Sequence, residues 1–206
     1  RTASLSGSNL SSVSGMEAMA FNVAGMGLTK GIDIGWGEIL YMGTNSGITV
    51  NTFAAAFRMG ESSSTLGFNI TFVSFGDIEI TTGDNPEGGI GQFSPNTLNI
   101  GLSYAKEFSN SIYGGFTLKV VNESSANVSA TAVAFDAGID YITGPRKNFK
   151  FGISLRNVGS KMTFKGDGLD VQGTVQNSSS VSTLKSLAQP FQLPAQLGIG
   201  LSYDFF

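Results

Sequence analysis

Residues 98–105 read Leu-Asn-Ile-Gly-Leu-Ser-Tyr-Ala, with large apolar residues at the even positions and small or weakly polar residues at the odd ones. Strict alternation of this kind puts every large apolar side chain on one face of a β-strand. Similar alternation returns in residues 133–141, 149–156 and 197–205. The opposite face is mostly Gly, Ser, Ala and Asn, whereas a soluble sheet carries many charged residues on its water-facing side. Small residues suit a crowded barrel interior while the apolar face meets lipid, so the pattern predicts an all-β, transmembrane outer-membrane β-barrel.

The composition also departs from that of a soluble domain. Charged residues make up 13% of the 206 residues, and 28 residues are Gly, whereas about 25% charged residues and about 7% Gly are typical. The chain lacks a run of 18 apolar residues, so it has no candidate transmembrane helix. Its formal net charge of -3 offers no basic field, and we therefore expect no nucleic-acid partner.

The chain contains neither Cys nor His. It therefore lacks a disulfide framework, a thiolate, the Ser-His-Asp triad and the commonest zinc ligand. We expect a non-enzymatic protein without catalytic residues, a metal site or a cofactor. An enzyme built on Asp and Lys is kept as a third alternative.

Alternation predicts nine strands within a single domain that spans residues 1–206. The candidates begin near 32–36 and continue at about 47–59, 65–75, 76–82, 98–107, 112–122, 131–142, 149–157 and 196–206. Short links at 60–64, 108–111 and 143–148 alternate with longer links at 83–97, 122–130 and 158–195. Outer-membrane barrels have short periplasmic turns and long external loops, so the alternation of link lengths supports the barrel prediction.

The N-terminal segment, residues 1–31, lacks alternation and is rich in Ser, Gly, Ala and Met. We expect a short helical turn at 16–21 and a break at 22–25. The segment is predicted to lie on the periplasmic side or in the lumen, with the barrel strands and loops in residues 32–206.

Extending the alternation assigns five charged residues to the barrel interior: Lys119, Asp136, Asp140, Lys150 and Arg156. They either form a polar lumen that steers a solute or holds a plug, or they form an internal network of salt bridges and hydrogen bonds. We favour the network, because a charge on the lipid face costs about 2–4 kcal/mol at mid-depth. Asp136 and Asp140 are four residues apart on one strand face, which is too distant for a catalytic carboxylate pair.

Residues 13–26, Val-Ser-Gly-Met-Glu-Ala-Met-Ala-Phe-Asn-Val-Ala-Gly-Met, resemble the N-terminal segment of the PorV/PorQ family. In that family a similar stretch ends in Asn-Pro-Ala-Gly-Leu, so Val23 stands where the family has Pro. Further similar pieces follow in the family's order, at 75–78, 81–82, 85–88, 93–95, 102–105, 133–138, 157–159, 161–162 and 190–194. The resemblance covers nearly the whole chain and is greater to the PorV-like members.

The resemblance implies an outer-membrane component of the Bacteroidetes type IX secretion system. Its fold is expected to be similar to that of the fatty-acid transporter FadL, a barrel of fourteen strands, so the C-terminal strands are expected to be missing from this chain. PorV-like members bind the C-terminal signal domains of cargo at the giant translocon barrel and shuttle them to surface attachment. The loops at 83–97 and 158–195 are expected to face these partners, and outer-membrane lipid is expected to surround the barrel. The plug residues implied are Met16, Met19, Phe21, Asn22, Ala24, Gly25 and Met26.

A FadL-like transporter of a hydrophobic small molecule is the alternative function. It predicts an apolar pocket inside the barrel, with Met16, Met19, Phe21 and Met26 as candidate lining residues. Packing of the plug is the other interpretation of these four side chains, and we favour it.

Overall fold

The computed structural model describes residues 8–43, 46–60, 63–174 and 181–205, and over these ranges the chain is mostly β. The strands of its large sheet are β1 (Ile32–Leu40), β2 (Thr49–Arg58), β3 (Ser64–Ser74), β6 (Asn96–Ser109), β7 (Ile112–Ser125), β8 (Val128–Thr143), β9 (Phe149–Gly159) and β14 (Gln196–Tyr203). Short pairs outside this sheet are β4 (Ile78–Glu79) with β5 (Gln92–Phe93), β10 (Lys161–Met162) with β13 (Phe191–Gln192), and β11 (Asp170–Thr174) with β12 (Val181–Lys185). The prediction of an all-β fold is confirmed.

The large sheet is antiparallel throughout, and each strand pairs with the next one in the order β1-β2-β3-β6-β7-β8-β9-β14. Its two faces differ as the alternation predicts. In β6, Leu102 is 61% exposed while its neighbours Gly101 and Ser103 are buried. In β14, Leu197, Ile199 and Leu201 are exposed in the odd phase. In the sequence Phe206 breaks this odd apolar phase, and it lies outside the described residues.

The strand predicted at 76–82 is wrong as a strand of the large sheet. Gly76 has a φ of 77°, a conformation that favours Gly, and it ends the extended chain directly after β3. Only β4 is extended here, and it pairs with β5 in a small separate sheet. The large sheet therefore has eight strands among the described residues, one fewer than predicted.

The long link predicted at 122–130 is also wrong. β7 and β8 continue past the predicted strand ends and are separated by only two residues, 126–127. A satellite core stabilises the extension, because side chains from the β9–β14 connection cover its inner face. The members of this core are Val121, Ala130, Ala132 and Met162, with Phe164, Phe191 and Leu193 packed against them.

The connections divide between two rims of the sheet. The short-turn rim has the connections 59–63, 110–111 and 144–148, and the long-loop rim has 41–48, 75–95, 126–127 and 160–195. Apart from the 126–127 turn, short connections lie at one end and long ones at the other. The predicted difference between the two rims is thus present. The exception is the link predicted at 122–130, which is an extended hairpin with a short turn.

Residues 8–31, the described part of the N-terminal segment, include the two 3-10 helices Gly15–Ala20 and Val23–Leu28. The break predicted at 22–25 is wrong, because only Asn22 and its neighbour Phe21 separate the helices. The Asn22 side chain accepts from the Ala24 backbone N–H and caps the second helix. Residues 1–7 of the predicted plug lie outside the described residues.

The sheet curls around this segment. Ser11 Oγ donates to Ser202 Oγ in β14 at 3.1 Å, and the Met16 backbone N–H donates to Asp33 Oδ2 in β1 at 2.9 Å. In a flat sheet of eight strands the two edges are about 34 Å apart. The five residue steps from Ser11 to Met16 span at most about 18 Å when they are extended. The chain is also turned at the start of this stretch, where the Ser12 backbone N–H donates to the Asn9 carbonyl. The two edge strands must therefore approach each other.

The described part of the sheet does not close into a barrel, since β1 and β14 are its edges and are not paired with each other. Among the described residues, none of the helices has the length and apolar character needed to cross a membrane.

Candidate functional site: the filled inner face of the sheet

Asn22 is the fully buried anchor of the N-terminal segment on the sheet. Its Nδ2 donates to Asp140 Oδ1 in β8 at 2.6 Å, and its Oδ1 accepts from the Ala24 N–H at 3.3 Å. Gly138 and Gly152 make room for this contact. A Cβ at 138 would overlap Asn22 Oδ1, and one at 152 would lie 2.6 Å from Asp140 Oδ1. Small residues on the inner face therefore create the hole that Asn22 fills.

β9 holds the junction between the two 3-10 helices through two polar side chains. Ser154 Oγ donates to the Phe21 carbonyl at 2.7 Å, and Arg156 donates from one guanidinium nitrogen to the Ala20 carbonyl at 2.6 Å. The other nitrogen donates to Gln196 Oε1 at 2.5 Å. The Arg156 guanidinium also lies 5.7 Å from the Phe21 ring centroid, within cation–π range. Helix-terminal carbonyls without helical partners are thus satisfied by the sheet.

Methionines fill the space between the N-terminal segment and β2–β3. Met26 and Met19 press on Gly67, where a Cβ would lie 2.5 Å and 2.6 Å from their sulfur atoms. Unbranched Met adapts well to such an irregular gap. The apolar core around them contains Val13, Ala18, Met19, Met26, Ala54, Ala56 and Ala105, with Met16 and Phe21 packed against it.

The remaining predicted plug residues, Ala24 and Gly25, are buried in the second 3-10 helix. Ala24 packs with Tyr113 and Ile142 of the sheet. At Gly25 a Cβ would overlap the Val13 carbonyl, so two parts of the segment meet there. All seven predicted plug residues therefore lie between the segment and the sheet or within the segment itself.

Lys119 and Asp136 form a buried ion pair on the inner face. Lys119 Nζ lies 2.7 Å from Asp136 Oδ2, with side chains 9% and 6% exposed, and 2.5 Å from Asn157 Oδ1. The β8–β9 register shifts between Phe135 and Ala137, so that Asp136 lies in an irregularity of the ladder. Asn157 has a φ of 59°, which Asn tolerates better than most residues, and its backbone N–H donates to Asp136 Oδ1 at 2.7 Å.

The five predicted interior charges do not form one cluster. Lys119 pairs with Asp136, Asp140 contacts Asn22, and Arg156 contacts the backbone of the N-terminal segment. Lys150 instead pairs with the half-exposed Asp204 at 3.0 Å near the short-turn rim. This arrangement can neutralise charge and hold the segment in place. Asp136 and Asp140 have different hydrogen-bond partners.

Arg58 and Ser154 are interface residues that the sequence reasoning missed. Arg58 donates to the Gly27 carbonyl at 3.0 Å and pairs with Glu107 at 3.4 Å. Its even position, in phase with the buried Ala54 and Ala56, is the signal that assigns it to the inner face. Extending the alternation to every polar residue in a strand assigns both residues to the inner face, but it does not identify their partners.

An apolar cavity of about 470 Å³ lies between the first 3-10 helix and strands β1–β3. Its apolar lining includes Met16, Met19, Phe21, Trp36, Ile39 and Ala54, and its polar lining includes Glu17, Thr52, Asn69 and Thr71. Met26 does not line this cavity and is fully buried in the core. A smaller polar cavity of about 180 Å³ lies beside the Lys119–Asp136 pair.

The described residues contain no group of three or more acidic side chains placed to hold a metal ion. Fold and site together define a curled antiparallel sheet whose polar inner face is filled by its own N-terminal segment and whose outer face is apolar and exposed. Comparison of the chain with family models, curated proteins and solved structures gives no match.

Proposed function

We propose that this protein is part of a plugged outer-membrane β-barrel whose apolar outer face meets lipid. The arrangement of its two faces supports this, since it reverses the soluble pattern. On the inner face Lys119, Asp136 and Asp140 are buried, while on the outer face Leu102 and Trp36 are 61% and 69% exposed. Exposed apolar surface of this extent indicates a membrane or protein interface. Polar inside and apolar outside is the arrangement of a transmembrane barrel.

The protein acts in this proposal as a carrier in type IX secretion and not as an open pore. It binds the C-terminal signal domains of cargo at the giant translocon barrel and shuttles them to surface attachment. The filled inner face supports a binding role, because side chains of β2, β8 and β9 form hydrogen bonds that fix the N-terminal segment where a channel would run. The choice of secretion system rests on the resemblance of residues 13–26 and the later pieces.

The long-loop rim is the surface that this function assigns to partners. Its described residues carry eight acidic and three basic side chains: Glu38, Asp77, Glu79, Asp84, Glu87, Glu123, Asp167 and Asp170, with Lys161, Lys165 and Lys185. Four of the acids lie in the 75–95 connection, which has no basic residue. A net acidic rim favours encounter with a basic partner surface and makes capture sensitive to salt.

A detergent pull-down of the full-length protein from outer membranes tests the proposal, with partners identified by mass spectrometry. Co-purification of a very large barrel, or of secreted proteins that share a C-terminal β-domain, is the expected result. Charge reversal at Asp84 and Glu87 is expected to weaken that capture, while reversal of Lys147 on the opposite rim leaves it unchanged. A monomer that carries only bound lipid or fatty acid contradicts the carrier function.

The 470 Å³ cavity favours a second candidate, a FadL-like transporter of a hydrophobic small molecule. Its size and apolar lining are typical of ligand pockets. Gly37 lines the cavity, and a Cβ there meets no atom within 4 Å. Gly37→Leu is therefore expected to fill the cavity and reduce binding of a fluorescent fatty acid. Glu38→Leu on the same strand is the control, and equal binding by wild type and Gly37→Leu rejects the transporter.

A further inference from the structure

A trough crosses the outer face of the sheet near the short-turn rim. Two adjacent cross-strand rows form it. One row is Tyr104, Phe116, Ala137 and Leu155, and the other is Lys106, Gly114, Ile139 and Ile153. Gly114 in β7 and Ala137 in β8 are the only small residues of these rows, and they are diagonal neighbours. The resulting cavity has a volume of about 500 Å³ and is lined by all of these residues except Lys106.

Large side chains predominate in the rows on either side of the trough, although Ser109 of β6 lies opposite Ile112. Toward the long-loop rim the next row has Leu102, Leu118 and Phe135, and toward the short-turn rim it has Ile112, Tyr141 and Phe151. Phe108 lies over Gly114, where a Cβ would come within 2.8 Å of its ring. The trough is therefore a local depression with aromatic and aliphatic walls, and its depth depends on Gly114 and Ala137.

The short-turn rim beside the trough is basic. Its described residues carry six basic and four acidic side chains: Lys30, Arg58, Lys106, Arg146, Lys147 and Lys150, with Asp33, Glu107, Asp140 and Asp204. Glu107 pairs with Arg58 and Asp204 pairs with Lys150. Asp33 and Asp140 accept hydrogen bonds from the N-terminal segment on the inner face, away from the trough. Lys106 is exposed within a trough row, and Arg146 and Lys147 are exposed in the turn between β8 and β9, the strands that carry Ala137 and Ile153.

We propose that the trough and the adjacent basic rim form a binding site for one anionic phospholipid. An acyl chain lies in the trough, and the phosphate of the headgroup is held by Lys106, Arg146 and Lys147. Charge complementarity selects this occupant, because each basic side chain near an anionic headgroup strengthens binding about fivefold. The inference rests on the membrane insertion proposed above and is independent of the partner in secretion.

The test uses the full-length protein extracted in detergent, with native mass spectrometry after addition of phosphatidylglycerol or phosphatidylethanolamine. We expect phosphatidylglycerol adducts to exceed phosphatidylethanolamine adducts. The triple variant Lys106→Gln, Arg146→Gln, Lys147→Gln is expected to lose at least about tenfold in phosphatidylglycerol affinity. Its control is the triple variant Lys161→Gln, Lys165→Gln, Lys185→Gln on the opposite rim, which keeps the preference.

Filling the trough tests the acyl-chain half of the site. Ala137→Phe is expected to weaken binding of both lipids, whereas Val133→Phe, on the same strand and face but outside the trough, is not. Equal adducts of the two lipids on the wild type, or unchanged binding by Ala137→Phe, overturn the site. A co-purified protein that is lost only in Ala137→Phe also overturns it and assigns the trough to a protein partner.

Membrane extraction distinguishes a failure of the lipid site from a failure of the proposed membrane insertion. If carbonate washing releases the protein from membranes, membrane insertion is wrong and the lipid site fails with it. If the protein stays in the membrane fraction and shows no lipid preference, only the lipid site is wrong.

Discussion

The amide of Asn22 and the carboxylate of Asp140 meet at 2.6 Å, although 118 residues separate them along the chain. Both side chains are almost completely buried, and Gly138 and Gly152 leave the space for them. This contact links the N-terminal segment to the middle of the sheet, so it connects the position of the segment to the stability of the fold.

Asn22→Ala removes the donor to Asp140 and the cap of the second 3-10 helix. Loss of a buried hydrogen bond to a carboxyl group is expected to lower the free energy of unfolding by about 1.5–3 kcal/mol. Urea unfolding in detergent micelles measures the change. Asn96→Ala, which removes only a surface bond to the Ser94 carbonyl, is the control and should stay within about 0.5 kcal/mol of wild type. Equal stability of the two variants contradicts the anchoring role.

Gly67→Val is expected to displace the N-terminal segment, because its side chain collides with Met19 and Met26. Overpacking of this kind costs about 1–3 kcal/mol. Limited proteolysis measures the exposure of residues 8–31, which should be cleaved faster in the variant. Gly37→Val, at a position with open space around it, is the matched control. Equal protection of the segment in both variants argues against close packing at Gly67.

Lys119→Met leaves Asp136 buried without its cation and is expected to cost about 3–5 kcal/mol. Adding Asp136→Asn removes the uncompensated charge while an oxygen still accepts from the Asn157 N–H. The double variant should therefore be more stable than Lys119→Met alone. A double-mutant cycle on unfolding free energies should give a coupling of about 1–3 kcal/mol, and additive effects contradict the pair.

Leu102→Arg distinguishes a lipid-facing wall from a water-facing one. In a bilayer the substitution is expected to cost about 2–4 kcal/mol near mid-depth, whereas an exposed position in a soluble protein tolerates it within about 0.5 kcal/mol. Folding stability in phospholipid vesicles is the measurement. Ser109→Arg at the end of the same strand should have little effect, and a harmless Leu102→Arg rejects the membrane assignment.

The fluorescence of Trp36 also tests whether the outer face of the sheet meets lipid, and it needs no substitution. It is the single Trp of the chain and is 69% exposed, in phase with the exposed Ile32 and Ile34. In vesicles that contain brominated acyl chains, its fluorescence is expected to be quenched through direct contact with lipid. Quenching by aqueous acrylamide instead, with no effect of the brominated lipids, places Trp36 in water.

The sequence predicted the strands best where alternation was clean and uninterrupted. The strands that carry Leu102, Ile139 and Leu201 were placed correctly, because successive side chains must point to opposite faces. The strand prediction at 76–82 is wrong because Ile78 and Ile80 alternate over too few residues to distinguish a long strand from a small hairpin. The prediction of a long link at 122–130 is wrong because the polar residues of an extended hairpin resemble those of a loop.

The candidate site was predicted in part. Alternation assigned the charges to the inner face, and the resemblance assigned the segment around Met16 and Met26 to the plug. Neither could show that Asp140 meets Asn22 while Lys119 meets Asp136, since both partners depend on strand register and on the path of the N-terminal segment. The missed roles of Arg58 and Ser154 have the same cause.

The sequence by itself determined which side chains share a face, because the period of a strand is a local property of the backbone. The tertiary structure alone decided the curl of the sheet, the irregularity at Asp136, the cavity beside Trp36 and the trough at Ala137. These features depend on which strands are neighbours and in what register, and pairing between distant segments is set by the packing of the whole sheet around residues 8–31.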